Sequence, residues 1–455
     1  MNKKDVMIKE DSTKDIVKKI IKLAIPASLE MIFQNLLGLI DIVFISALGD
    51  DAMAGVSLVN QIITLLLLVF GTLGVGGSIL IAQYYGKKDK DSIVTIVGQL
   101  FLFGLSVSAI TIILLTLFQQ RILTGIGVTK EVMGFAEIYF RIVIISMPVA
   151  VFINLLTSVL RAVGNTRTSM LSNVTSLAVN TVLNYVLIFG IGSLKGFGIA
   201  GAAYATLISR CVGFIILTTY LLFFNKEFDM KIKAFIQFNK EKFLHMCKLS
   251  IPVTVGEGVW AAGSFLYTLL HTRIGTTALV ANQMLFSVEE IFIMFSFGLS
   301  VAGLTVVGQE IGRKNYDLMH LKAKIILKTG FVSSVIFGIL FFITSFFLSL
   351  IYSHVAEASI QLAVIAIHIN ALFQPIKVTN LILGNGILKG GGDTSCVMII
   401  DTIVVTIGVI TAYILGYGFE LGFLGVFFGK LIEEIIRFLF MMGRYKSDKW
   451  FKLLV

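Results

Sequence analysis

Lys22-Leu23-Ala24-Ile25-Pro26 returns 226 residues later as Lys248-Leu249-Ser250-Ile251-Pro252. The same shift maps Gly49 to Gly275, Gly77 to Gly303, Gln83 to Gln309, Gly86 to Gly312 and Lys88 to Lys314. Further on, Leu160-Arg161-Ala162-Val163-Gly164-Asn165-Thr166 returns as Leu388-Lys389-Gly390-Gly391-Gly392-Asp393-Thr394, and Gly198 and Gly201 return as Gly422 and Gly425. Generic likeness between apolar helices would scatter its matches. These fall instead on the Pro, Gly, Gln and basic residues that punctuate helices, so the chain reads as a duplication.

What is duplicated is a membrane bundle. Of the 455 residues, 56% are apolar and 14% charged. Apolar runs of about 20 residues, the length that crosses a bilayer core, recur along the whole chain. They lack the alternation of barrel strands, and helices satisfy their own backbone in lipid. Twelve spans are expected, six per repeat. The fold class is therefore an all-α integral membrane protein with twelve transmembrane helices in two parallel six-helix repeats. Expected boundaries are an N-terminal segment at 1–18, a first lobe at 19–224, a connector at 225–246, a second lobe at 247–444 and a tail at 445–455. An even span number gives both repeats one orientation and puts their symmetry axis along the membrane normal.

Charge orients the bundle. With a cytoplasmic N-terminus, the inside segments (1–22, 84–91, 161–168, 225–248, 309–328, 389–394 and the tail from Arg444, so including Arg161 and Lys389) hold 28 of the 37 Lys and Arg, and the outside segments hold Arg121, Lys130, Lys195 and Arg273. That bias is the positive-inside rule. It accounts for the formal charge of +10 without nucleic acid, since these bases face anionic lipid. We expect a monomer, surrounded by membrane lipids, in the cytoplasmic membrane with both termini inside. The first 18 residues lack the apolar core of a cleavable signal peptide. Cys211, Cys247 and Cys396 have no metal-like spacing and read as packing residues. The Gly196-Phe-Gly198-Ile-Ala-Gly201 pattern has no strand before it, so close helix packing is its expected role. A phosphate loop and a soluble nucleotide-binding stretch are absent, which excludes ATP-driven transport by this chain alone.

An ionisable group inside a membrane helix is costly and reads by default as functional. In the first helix Glu30, Gln34, Gly38 and Asp41 share one stripe; in the fifth, Asn173, Asn180 and Asn184 do the same. Facing one another, they offer a carboxylate among amide oxygens. Such a site suits Na+ at Asp41, Asn180 and Asn184, or a proton on Asp41. The competing reading is a hydrogen-bond network that holds helices together. The second repeat carries Glu257, Glu289, Glu290, Lys377, Asn380, Asp401, Glu433, Glu434 and Arg437. We expect Lys377 and Arg437 to neutralise Asp401 and Glu434, the four being mutual neighbours.

Each repeat opens with a Pro in its first helix and closes its second with Gln-(x)2-Gly-Lys/Arg-Lys. Each carries Leu-Arg/Lys-(x)2-Gly-Asn/Asp-Thr after its fourth. With Asp41 and Asn180-(x)3-Asn184-Tyr185, the chain resembles the multidrug and toxic compound extrusion (MATE) family from about residue 19 to Trp450. The resemblance implies a two-lobe antiporter, not an enzyme, that expels small organic cations against an inward flow of H+ or Na+ and uses no other cofactor. The sequence departs from the family pattern in three places. Asn184 stands where one branch has a second acid, Glu257 lies about two turns early, and the tenth helix offers Lys377 where an acid is usual. Two alternatives compete. A lipid or oligosaccharide flippase of the same superfamily would need a cationic cavity, whereas the interior has eight acids against Lys377, Lys430 and Arg437. An intramembrane enzyme would need a Ser/His or His-rich constellation that the sequence lacks.

Overall fold

The computed structural model describes residues 13–192, 194–225 and 238–455. Most of the connector expected at 225–246, and the start of the segment expected at 1–18, lie outside the described residues. Helix α1 begins at Thr13 and runs to Ser46, so the last part of that segment is already helical, with Ile16 and Ile20 buried. The first repeat continues with α2 (Asp50–Lys87), α3 (Lys90–Gly125), α4 (Lys130–Ala162), α5 (Thr166–Phe189) and α6 (Ile199–Thr219). A two-residue hairpin, β1 (Gly190–Ile191) against β2 (Leu194–Lys195), joins α5 to α6. The second repeat comprises α7 (Lys240–Ile274), α8 (Thr276–Gly312), α9 (Tyr316–Thr344), α10 (Glu357–Leu381), α11 (Thr394–Tyr413) and α12 (Gly422–Lys446). Helices α6, α10 and α11 each run on into a wider π turn, ending at Phe224, Leu388 and Gly418.

The duplication is written into the backbone angles. Gly164 and Gly392 both have φ of +89°, Gly198 and Gly422 have +57° and +56°, and Lys88 and Lys314 have +64° and +57°. Left-handed backbone at Gly164 and Gly392 is the conformation only glycine adopts without penalty, and it lets each chain turn sharply into the next helix. Asp89 and Asn315 also match, each accepting a hydrogen bond from a backbone N–H three residues on and so capping α3 and α9. All four prolines pair across the repeats inside helices: Pro26 with Pro252, and Pro148 with Pro375. Each removes one backbone donor and so interrupts the helix ladder at the corresponding position in both copies.

Eleven of these helices are long and apolar enough to cross a membrane. The twelfth, α12, carries Lys430, Glu433, Glu434 and Arg437 within its length. Large apolar side chains lie open on the outer faces, with Leu372 79% and Phe223 78% exposed. Water would not tolerate that density of bare hydrocarbon, whereas lipid tails cover it at no cost.

Two compact units emerge: Leu29–Ser250, and Ile251–Val455 together with the residues up to Ser28. The sequence placed the divisions near residues 19 and 247. In the fold, the opening turns of each repeat's first helix belong to the other repeat's unit. In one unit, Ser28 Oγ donates to Phe295 O at 2.7 Å, and a Cβ on Gly298 would collide with the Ala24 carbonyl. In the other, Ser250 Oγ donates to Leu73 O at 3.0 Å, beside Gly76. Small residues at these crossings let helix backbones approach closely, which membrane packing favours. The glycine pattern near residue 201 does the same, since a Cβ on Gly201 would strike the Leu187 carbonyl of α5.

The tail is no loose end. Trp450 is 0% exposed and packs among Tyr445, Phe451 and the His320 ring. Lys452 N donates to Gly391 O at 2.9 Å, and Arg444 Nε donates to Asp393 Oδ2 at 2.6 Å. The tail is thereby clasped onto the loop that joins α10 to α11.

Candidate functional site

Two polar centres lie in the unit Leu29–Ser250, both on α1. Glu30 is fully buried and pairs with Arg161 of α4, with Oε1 to Nη2 at 3.0 Å and Oε2 to Nε at 3.3 Å. Asn173 Nδ2 of α5 donates to its Oε1 at 3.2 Å. Asp41 lies eleven residues on, roughly 16 Å along the helix. It is 4% exposed and accepts from Asn184 Nδ2 at 2.6 Å and from Thr206 Oγ1 at 3.3 Å. Asn184 Nδ2 also donates to Asn180 Oδ1 at 3.0 Å. Asn180 Nδ2 and Asn184 Oδ1 are buried and without a partner.

The single stripe expected of α1 therefore divides. One angular position spans several depths, and each depth meets a different neighbour. Glu30 belongs to an ion pair with Arg161, not to the Asp41 cluster, and Gln34 is exposed. Asp41, Asn180 and Asn184 do come together as expected. Thr206 and Arg210 of α6 and Tyr139 of α4 were missed. Tyr139 is 1% exposed with its hydroxyl 3.3 Å from Asn60 Oδ1, and Arg210 Nη1 donates to Ser146 Oγ at 2.7 Å. A signal for Arg210 was present, because it is the only Lys or Arg between residues 196 and 225.

The second unit encloses a cavity of about 570 Å³. Its charged lining comprises Glu257, Glu289, Asp401 and Glu434 against Lys377, Lys430 and Arg437, with Trp260, Phe286 and Phe427 supplying apolar wall. The four residues expected to be neighbours all face it, but their pairing differs. Lys377 Nζ lies 2.5 Å from Glu289 Oε1, which also accepts from Gln374 at 3.0 Å. Arg437 is the hub. It reaches Glu433 at 2.9 Å, Glu434 at 3.3 Å and Asp401 at 3.3 Å, its Nε lacking hydrogen-bond geometry to the last. Asn380 Nδ2 donates to Glu434 Oε2 at 2.8 Å, and the Tyr267 hydroxyl donates to Glu433 Oε2 at 2.7 Å.

Two further corrections concern this unit. Glu290, expected inside, is exposed; its neighbour Glu289, about 100° around α8, is the one turned inward. Lys389, counted as a cytoplasmic loop charge, belongs to the end of α10 and binds Glu257 Oε1 at 3.1 Å and Asn385 Oδ1 at 2.6 Å. Adding Arg161, Arg210 and Lys389 raises the interior bases from three to six and shrinks the acid excess inferred from sequence. Among the described residues no cluster of three or more His, Cys, Asp and Glu has the geometry to hold a metal ion.

Known proteins match this architecture along its whole length. The chain is 27% identical over 448 residues to the probable multidrug resistance protein NorM of Thermotoga maritima, covering 97% of this chain and 95% of that one. It is 26% identical over 287 residues to the multidrug export protein MepA of Staphylococcus saprophyticus, covering 63% and 59%. An outward-facing multidrug resistance MATE family transporter of the MOP superfamily superimposes with a TM-score of 0.86 at 22% identity, covering 96% of each chain. A crystal structure of a MATE protein in the straight conformation also superimposes at 0.86, with 21% identity, over 98% and 99%. The MatE family model matches residues 26–186 and again 252–414, once per repeat, and the chain belongs to the MatE family of multi-pass membrane transporters.

Proposed function

We propose that this protein is a secondary active antiporter of the cytoplasmic membrane that exports organic cations in exchange for an inward flow of H+ or Na+. The observation that carries the reading is Asp41: a nearly dry carboxylate in a membrane helix whose hydrogen bonds come from the uncharged Asn184 and Thr206. A carboxylate held this way gains or loses a cation at little geometric cost, which suits an exchange site. The cavity of the second unit supports a cationic passenger. Four carboxylates line it against three bases, and aromatic faces give an organic cation a π surface. An anionic lipid or oligosaccharide head group would meet the opposite balance. The kinship with multidrug resistance proteins points the same way.

Reconstituted protein should move tetraphenylphosphonium out of proteoliposomes under at least one of two gradients, of protons or of Na+, each tested in the absence of the other. Failure of both gradients to drive any organic cation, with anionic lipid scrambled in its place, rejects the reading.

A further inference from the structure

Helix α6 carries Thr206 and Arg210 one turn apart, on one face. Thr206 Oγ1 touches Asp41 Oδ2 at 3.3 Å, which brings Arg210 to the same end of the cluster. There its guanidinium donates to the fully buried Ser146 Oγ of α4 at 2.7 Å. Arg210, Asp41 and the buried Tyr139 of α4 are near enough to interact electrostatically. From the surrounding helices the groups facing Asp41 are Asn180 and Asn184 of α5, Thr206 of α6 and Tyr139 of α4, with Asn60 of α2 behind the tyrosine. None of these carries a charge at neutral pH, and Glu30 is already neutralised by Arg161. The formal charge of the Asp41 centre is therefore one negative and one positive.

That balance treats Na+ and a proton differently. A Na+ ion leaves its hydration shell only for a net negative cage of several oxygens. Here a guanidinium is held one helical turn from the carboxylate's Thr206 contact, and Asn184 and Thr206 turn donors toward the carboxylate. A proton needs no cage. It forms a covalent O–H bond to one Asp41 oxygen and cancels the carboxylate charge, and on release it returns to water while Arg210 stays charged throughout.

We infer that Arg210 is the ion-selecting residue of this transporter: its fixed positive charge excludes Na+ from Asp41 and leaves the proton as the exchanged ion. The inference rests on the antiporter reading for its consequence in transport, but its binding test stands apart from transport.

Full-length protein is melted in NaCl and in choline chloride at equal ionic strength, and binding of radiolabelled Na+ is measured alongside. Wild type and Arg210→Lys, which keeps the charge, should show no Na+-specific effect. Arg210→Met and Arg210→Gln should each gain Na+ affinity by roughly tenfold or more, as expected when a nearby like charge is removed. Adding Asp41→Asn to Arg210→Met should abolish the gain, which locates it at this carboxylate. In proteoliposomes, wild-type export should follow the proton gradient and change less than about twofold with Na+, a gap too small to reflect a coupled ion. Na+ binding by wild type that depends on Asp41, or folded charge-removing variants that gain no Na+ affinity, overturns the inference. Binding results as expected with no export under either gradient would reject the antiporter reading and leave the ion selectivity of the site standing.

Discussion

Asn184 Nδ2 donates to Asp41 Oδ1 across 2.6 Å, joining helices whose contacting residues are 143 positions apart in the chain. An amide here keeps the carboxylate hydrogen-bonded without adding a second negative charge. The centre thus holds one titratable acid, and its chemistry follows that one group.

Asp41→Asn should abolish ion-driven export while insertion and folding persist. The variant keeps an oxygen toward Thr206 but loses the charge and the proton site. Efflux should fall by roughly 100-fold or more, the scale on which a missing proton-transfer group acts. Expression-matched vesicles with unimpaired efflux would refute this.

The partner of Lys377 is Glu289, and a double-mutant cycle can read that pairing. Lys377→Ala strands a buried carboxylate and should destabilise by about 3–5 kcal/mol. Adding Glu289→Gln should recover part of the loss, with a coupling of about 1 kcal/mol or more. The same cycle run with Asp401→Asn should show weaker coupling, because Asp401 is paired with Arg437. Equal coupling in both cycles would contradict the observed pairing.

Trp450 is the tail's anchor. Trp450→Ala should cost about 3–5 kcal/mol, the range for emptying a buried aromatic site. Gly391→Ala should also destabilise, since its Cβ would enter the indole ring and the Trp450 carbonyl. Thermal melting and proteolysis of the tail report both. An unchanged melting temperature on deleting 449–455 would show the clasp to be idle.

Gly164→Ala and Gly392→Ala should each cost about 1–2 kcal/mol, because both residues sit at φ of +89°. Gly392→Ala should lose more, as Leu454 lies against it. Gly443→Ala, in open space within α12, is the control and should stabilise by up to about 1 kcal/mol. Melting curves of the three variants decide it. Equal small effects at all three positions would mean that left-handed backbone is not what those glycines supply.

How far the site was legible depends on the kind of information each residue carries. Period and spacing place Asp41, Asn180 and Asn184 on inward faces, and the structure joins them. The same spacing put Glu30 with Asp41, because an angular stripe says nothing about depth. Adjacent Glu289 and Glu290 are nearly equivalent in a sequence, yet a turn of about 100° puts one in the cavity and the other outside. Arg161 and Lys389 sat beside glycine loops and read as cytoplasmic charges, but they reach back to the buried Glu30 and the half-buried Glu257.

The sequence by itself determined the solvent, the span number, the repeat and its punctuation, because these follow from local composition and from residues whose backbone demands are their own. Only the tertiary structure decided which charges neutralise one another, that Arg210 stands near Asp41, and that the tail closes over Gly391. Those are meetings between residues far apart in the chain. Their energies depend on distance and burial, and neither is a property of any segment alone.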